Sequence, residues 1–163
     1  MKINIQILSE GIHEFSEELS PDQIDLTETI NTSNKISVKA FVDNFEDSYR
    51  IKLDVKTELT IICDRCLEEY SSPFKESGEQ IFQIGDGEYK DDDIEVLPNN
   101  TKEIDLRNLI NEVFLINRPI QNTCKDDCRG LCSNCGKNLN KTSCDCKQES
   151  IDPRLEKLKA FIK

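Results

Sequence analysis

The stretch YRIKLDVKTELTII, residues 49–62, decides the reading of the fold. Tyr49, Ile51, Leu53, Val55, Thr57, Leu59 and Ile61 take every second position, while Lys, Asp and Glu fill much of the alternate set. A period of two held this long describes a strand with one face on a core and one in water, the pattern of an antiparallel sheet. Upstream, ISVKAFV (36–42) alternates through Ile36, Val38 and Ala40, and KINIQIL (2–8) through Ile3, Ile5 and Ile7. Downstream, 67–74 and 79–84 read as strands returning along 49–62, broken at Pro73 and Gly78. Residues 9–34 are acidic and polar with no sustained period, which predicts a long connection with a short helix near Phe15–Leu19. Residues 1–100 are therefore expected to form an antiparallel β-domain, a curled sheet or open barrel.

The period changes at DLRNLINEVFLIN (105–117), where Leu106, Leu109, Ile110, Val113 and Phe114 make a helical stripe. Asp105 is placed to cap this helix and Pro119 ends the run. The stripe is expected to pack on the sheet, with a partner-binding face as the alternative. Residues 120–150 show no apolar period and hold six of the eight cysteines. Asp152 and Pro153 then open a predicted terminal helix, with Leu155, Leu158 and Ile162 on one side. The second unit, 101–163, thus comprises a helix, a cysteine-rich zinc-ribbon-like segment and a C-terminal helix, and the fold class is α+β. The acidic run GDGEYKDDD (85–93) lacks the ligand spacing of a calcium loop and reads as a solvated turn.

Composition excludes several function classes. No window approaches the roughly eighteen consecutive apolar residues of a membrane span. The start, MKINIQILSE, alternates where a signal peptide would carry an apolar block, so a cytoplasmic location is expected. A single histidine, His13, rules out an HExxH metalloprotease and leaves little for histidine-dependent catalysis. No catalytic residue is nominated and no small-molecule substrate is expected.

Eight cysteines in a chain read as cytosolic point to metal ligation, because cytosolic thiols are kept reduced. Their spacing is Cys63-x2-Cys66, Cys124-x3-Cys128-x3-Cys132-x2-Cys135 and Cys144-x-Cys146. Zinc takes four thiolates in a tetrahedron, so eight match two closed structural sites by count. Sequence proximity groups Cys132, Cys135, Cys144 and Cys146, with Gly136 supplying the knuckle turn. Cys63 and Cys66 would then join Cys124 and Cys128, tying the β-domain to the tail. A rival scheme gives one ion Cys124, Cys128, Cys132 and Cys135. A thiol–disulfide enzyme using Cys63 and Cys66 is the alternative from another class, but that pair follows a strand and does not open a helix in a βαβ unit.

The 21 Lys and Arg stand against 32 Asp and Glu, a net charge of -11. The imbalance is uneven: residues 1–62 carry 6 basic and 12 acidic side chains, 63–123 carry 6 and 14, and 124–163 carry 9 and 6. Broad capture of nucleic acid needs a basic footprint, so any RNA contact falls to bases near the cysteines. The candidates are Arg65, Lys125, Arg129 and Lys137, with Lys141 and Lys147 beside them. Solvated surface residues are the alternative.

Four pieces of the chain resemble the YceD family of bacteria and plastids. They are Cys63-Asp-Arg-Cys66-Leu67 after a long strand; Ile104-Asp105-Leu106 opening a helix that ends at Arg118-Pro119-Ile120; CKDDCRGLCSNCGKNLN (124–140) with Cys144-Asp-Cys146; and Asp152-Pro153-Arg154-Leu155 with Leu158. The resemblance implies a non-enzymatic factor for accumulation of 23S ribosomal RNA and hence large-subunit assembly. Its partners would be large-subunit rRNA, a ribosomal protein or another assembly factor. A protein-only adaptor is the remaining alternative.

Overall fold

The computed structural model describes residues 1–24, 30–85 and 94–146. Among these residues eight strands and one α-helix follow in order, with short 3-10 turns at Ile5–Ile7 and Pro21–Gln23: β1 (Lys2–Asn4), β2 (Gly11–Leu19), β3 (Ile30–Asn31), β4 (Ile36–Phe45), β5 (Ser48–Ile62), β6 (Glu69–Ile84), β7 (Ile94–Leu97), β8 (Glu103–Asp105) and α1 (Arg107–Ile116). The alternating stretch at 49–62 becomes β5, the spine of a six-stranded sheet. Along one edge it pairs antiparallel with β4 and, further on, with β3; along the other it pairs antiparallel with β6. β2 pairs with β4, and β7 completes the order β2-β4-β5-β6-β7. Among the described residues no pairing joins β2 to β7, so the sheet is open. A separate ribbon joins β1 to β8, with Ile3 opposite Ile104.

Four expectations change. The alternation at 2–8 holds as a strand only over Lys2–Asn4; Ile5–Ile7 turn as a short 3-10 helix that buries Ile5 and leaves Ile7 exposed. Residues 11–19 form a strand, not a connection with a helix: all nine pair with β4, from Gly11 opposite Asn44 to Leu19 opposite Ile36. Edge strands carry charge to deter pairing with other chains, and Glu14, Glu17 and Glu18 mask the period here. β6 runs unbroken through Pro73 and Gly78. Pro73 lies where the outer edge of β6 has no partner strand among the described residues, a place where a sheet tolerates proline. The sheet is mixed, because β7 runs parallel to the end of β6. The acidic residues 86–93, Lys147 and the helix expected from Asp152 lie outside the described residues.

The inner face of the sheet and the helix stripe make one core. Ile36, Val38, Ala40 and Val42 of β4 meet Ile51, Leu53 and Val55 of β5, all fully buried. Leu106, Leu109, Ile110, Val113 and Phe114 are buried as the stripe requires, and α1 packs on β5 and β6. Phe114 stacks on Phe74 with ring centroids 4.6 Å apart. Such a pair adds about 1 kcal/mol beyond its buried area. Gly78 makes the close approach possible: a Cβ there would stand 2.5 Å from Cγ2 of Val113. Asp105 caps α1 from one residue outside, its Oδ1 accepting the Arg107 N–H at 3.1 Å. Among the described residues no helix is long and apolar enough to cross a membrane.

Candidate metal centres

A second, smaller core sits where β5 ends. There Cys63, Cys66 and Cys128 are buried together, with Tyr70 and Cys124 against them. The segment Cys63-Asp-Arg-Cys66 closes as a knuckle: Leu67 N–H donates to Cys63 O and Cys63 N–H to Glu68 O, both at 2.9 Å. Cys132-Ser-Asn-Cys135 repeats the pattern, with Gly136 N–H to Cys132 O and Cys132 N–H to Lys137 O, again at 2.9 Å. In both knuckles the residue after the second cysteine is left-handed, at φ 58° for Leu67 and 69° for Gly136. Glycine suits that position; leucine does so only at a steric cost.

The eight sulfurs gather in two sets of four. Cys63, Cys66, Cys124 and Cys128 form one set and Cys132, Cys135, Cys144 and Cys146 the other, each with its sulfurs within 4.8 Å of one another. The rival set of Cys124, Cys128, Cys132 and Cys135 is not assembled. In the first centre Cys63 Sγ lies 3.9 Å from Cys128 Sγ, and Cys66 Sγ lies 3.7 Å from Cys124 Sγ. A tetrahedron with metal–sulfur bonds of about 2.3 Å has edges of about 3.8 Å, so four thiolates at this spacing fit one zinc-sized ion. All eight cysteines are free of disulfides.

Electrostatics within each set is what four crowded thiols without a cation impose. Burial pushes the Cys63 thiol up, but the amides of Cys124, Cys66 and Arg65 outweigh it and bring its pKa to about 6. Burial, then the neighbouring Cys128, Cys66 and Cys63, push Cys124 up to about 12. The second set repeats this. The amides of Cys135 and Asn134 bring Cys132 to about 6, while Cys135 and burial push Cys146 to about 12. One thiolate forms readily and its neighbours then resist ionising; a divalent cation removes that penalty.

Clips between separate segments hold the first centre. Asp64 N–H donates to Asn122 O at 2.8 Å, and Asn122 N–H donates to Asp64 Oδ2 at 2.7 Å. Cys124 N–H points at Cys63 Sγ, 3.4 Å away. Arg65 Nη1 donates to Cys128 O at 3.2 Å, which sets Arg65 beside Arg129. The candidate RNA-facing side chains Arg65, Lys125, Arg129 and Lys137 are all exposed and lie on the knuckles and their connection. Lys125 is paired with Asp127 at 3.6 Å, and Lys141 with Glu68. Asp64 and Asn122 escape a reading by motif, because they bond to each other across 58 residues and belong to no cysteine spacing.

The profile of the large ribosomal RNA subunit accumulation protein YceD matches residues 51–162, which include most of β5, all of β6 and α1, and both cysteine sets. The chain belongs to the YceD family. Two curated YceD relatives carry the name large ribosomal RNA subunit accumulation protein YCED homolog 1, chloroplastic. That of Arabidopsis thaliana is 28% identical over 71% of this chain, and that of Zea mays 30% over 70%. This YceD-family chain spans 45% and 50% of those two proteins, about half their length. The protein YlbN of Bacillus subtilis (strain 168) is 25% identical over 92% of the chain and 88% of its own length. No solved structure matches the chain significantly.

Proposed function

We propose that this protein is a zinc-stapled, non-enzymatic binding factor in accumulation of large-subunit ribosomal RNA, acting in the cytoplasm. The observation that carries the reading is the pair of four-sulfur sets inside the region matched by the family profile. In this reading Cys63, Cys66, Cys124 and Cys128 hold one zinc ion, and Cys132, Cys135, Cys144 and Cys146 the other. Each ion offsets part of the charge of its four thiolates and supplies a rigid four-way joint. With every position taken by sulfur, neither leaves room for an activated water. The zinc-ribbon-like tail is thereby fastened to the end of β5.

The contact to the assembling subunit runs through the basic side chains around these joints, Arg65, Lys125, Arg129 and Lys137. Local placement is consistent with a chain whose remaining surface is acidic. Metal analysis of protein purified under reducing conditions is expected to return about two zinc ions per chain. Cross-linking in cells is expected to enrich large-subunit precursor RNA. Charge reversal at Arg129 and Lys137 should weaken that enrichment while leaving the metal content unchanged. Recovery at the level of an unrelated acidic protein would remove RNA as the partner. Co-purification of a ribosomal protein after nuclease treatment would replace it.

A further inference from the structure

The two four-cysteine sets are joined by a strap of hydrogen bonds. Leu131 N–H donates to Arg65 O at 3.1 Å, inside the first knuckle. Leu139 N–H donates to Gly130 O at 2.9 Å, and Leu131 bridges to Asn138. The loop 136–143, enclosed between Cys135 and Cys144 of the second set, is therefore laid against the first. At its centre Asn140 faces both ways. Its Oδ1 accepts the Arg129 N–H at 2.9 Å, and its Nδ2 donates to Cys128 Sγ at 3.3 Å. Asn138 Oδ1 accepts the Asn140 N–H at 2.9 Å and fixes the turn that aims it.

We propose that the two centres load metal as a coupled pair, with Asn140 as the positioning residue that links them. This rests on the reading of both sets as metal centres. A hydrogen bond to a metal-bound thiolate withdraws part of its charge and orients the ligand, so the donor strengthens the site it serves. The loop carrying this donor is held at its two ends by Cys135 and Cys144. An ion in the second centre closes the loop and delivers Asn140 to Cys128. By linkage, an ion in the first centre favours the closed loop to the same extent. The coupling expected from one charge-assisted hydrogen bond is about tenfold in dissociation constant.

The test is a cobalt(II) titration of the reduced full chain, followed through the thiolate-to-cobalt charge-transfer absorption. The full chain is expected to take up two ions in one cooperative step. Cys135→Ser/Cys146→Ser leaves the first centre alone and should weaken it about tenfold. Asn140→Ala should still bind two ions, but in two separate steps. Asn140→Asp keeps the acceptor for Arg129 but turns a carboxylate towards Cys128 Sγ, so with the loop still folded it should separate the two steps at least as far as Asn140→Ala does. Hydrogen-exchange protection of Leu131 and Leu139 verifies that folding. Two results would overturn the coupling: identical isotherms for the full chain and both Asn140 variants, or an undiminished first centre in the double serine variant. No cobalt uptake by the full chain is a different result and would overturn the metal reading itself.

Discussion

Replacing Gly78 with alanine places one methyl group between β6 and α1. Gly78 lies in the row Ala40–Leu53–Gly78 across β4, β5 and β6, and Val113 of α1 fills the space above it. The new Cβ would stand 2.5 Å from Val113 Cγ2, with Leu109 Cδ1 at 3.9 Å. The close neighbour is a short branched side chain on a packed helix, so relief requires the helix to move. Overpacking of this kind costs about 2 kcal/mol, and alanine in a strand interior regains roughly 0.5–1 kcal/mol over glycine. The net expectation is a loss of about 1 kcal/mol, or roughly 3 °C in Tm for a chain of this size. Thermal and urea melts of the metal-loaded protein measure it. Repeating the substitution in Val113→Ala isolates the clash, because there the Gly78→Ala step should be neutral or stabilising. Stabilisation in the native background, or the same cost in both backgrounds, would refute the reasoning.

The Asp105 carboxylate is held below its ordinary pKa, first by the Arg107 side chain and also by the Arg107 amide. A depressed carboxylate stabilises above its unfolded pKa and loses that contribution as pH falls through the folded value. Asp105→Ala should therefore cost about 1 kcal/mol at pH 7, a difference that closes under strong acid; an equal cost at both extremes counts against the cap. Leu67 is left-handed and 64% exposed, so Leu67→Gly should raise the stability of the loaded protein by about 0.5–1 kcal/mol. A lower urea midpoint would show that its side chain makes a contact worth more than the backbone strain. Chelation should strip hydrogen-exchange protection from residues 120–146 and leave β4 and β5 protected, and loss of protection throughout would mean that the sheet does not stand without metal.

The parts of this fold that depend on local physics were legible in the chain. The period of β5 and the stripe of α1 each put their apolar side chains where the core needs them, and all five stripe residues are buried. Short loops grouped the sulfurs of the second set, and the first set followed as the four cysteines left over, since nothing local joins Cys66 to Cys124 across 58 residues. What escaped depends on distant partners. β2 is charged because it is an edge, so its period is masked until β4 lies beside it. Gly78 looked like a strand break because the helix that explains it begins 29 residues later, at Arg107. Leu67 offered no sign of a left-handed turn, as its side chain is one that backbone geometry disfavours there. Asn140 is an ordinary loop asparagine until Cys128 and Arg129 are placed around it.

The two four-sulfur sets differ in when they can exist. The second draws all its sulfurs from residues 132–146, a short stretch that can close as soon as it is made. The first must close 58 residues between Cys66 and Cys124, against nine between Cys135 and Cys144, more than two doublings of loop length, which adds roughly 1.6 kcal/mol to the closure cost before any metal is bound. It also needs β5 in place to present Cys63 and the Asp64–Asn122 clip to align the strands of chain. Its completion is therefore a late event in folding, and a filled first centre marks a chain whose sheet and tail have already found each other.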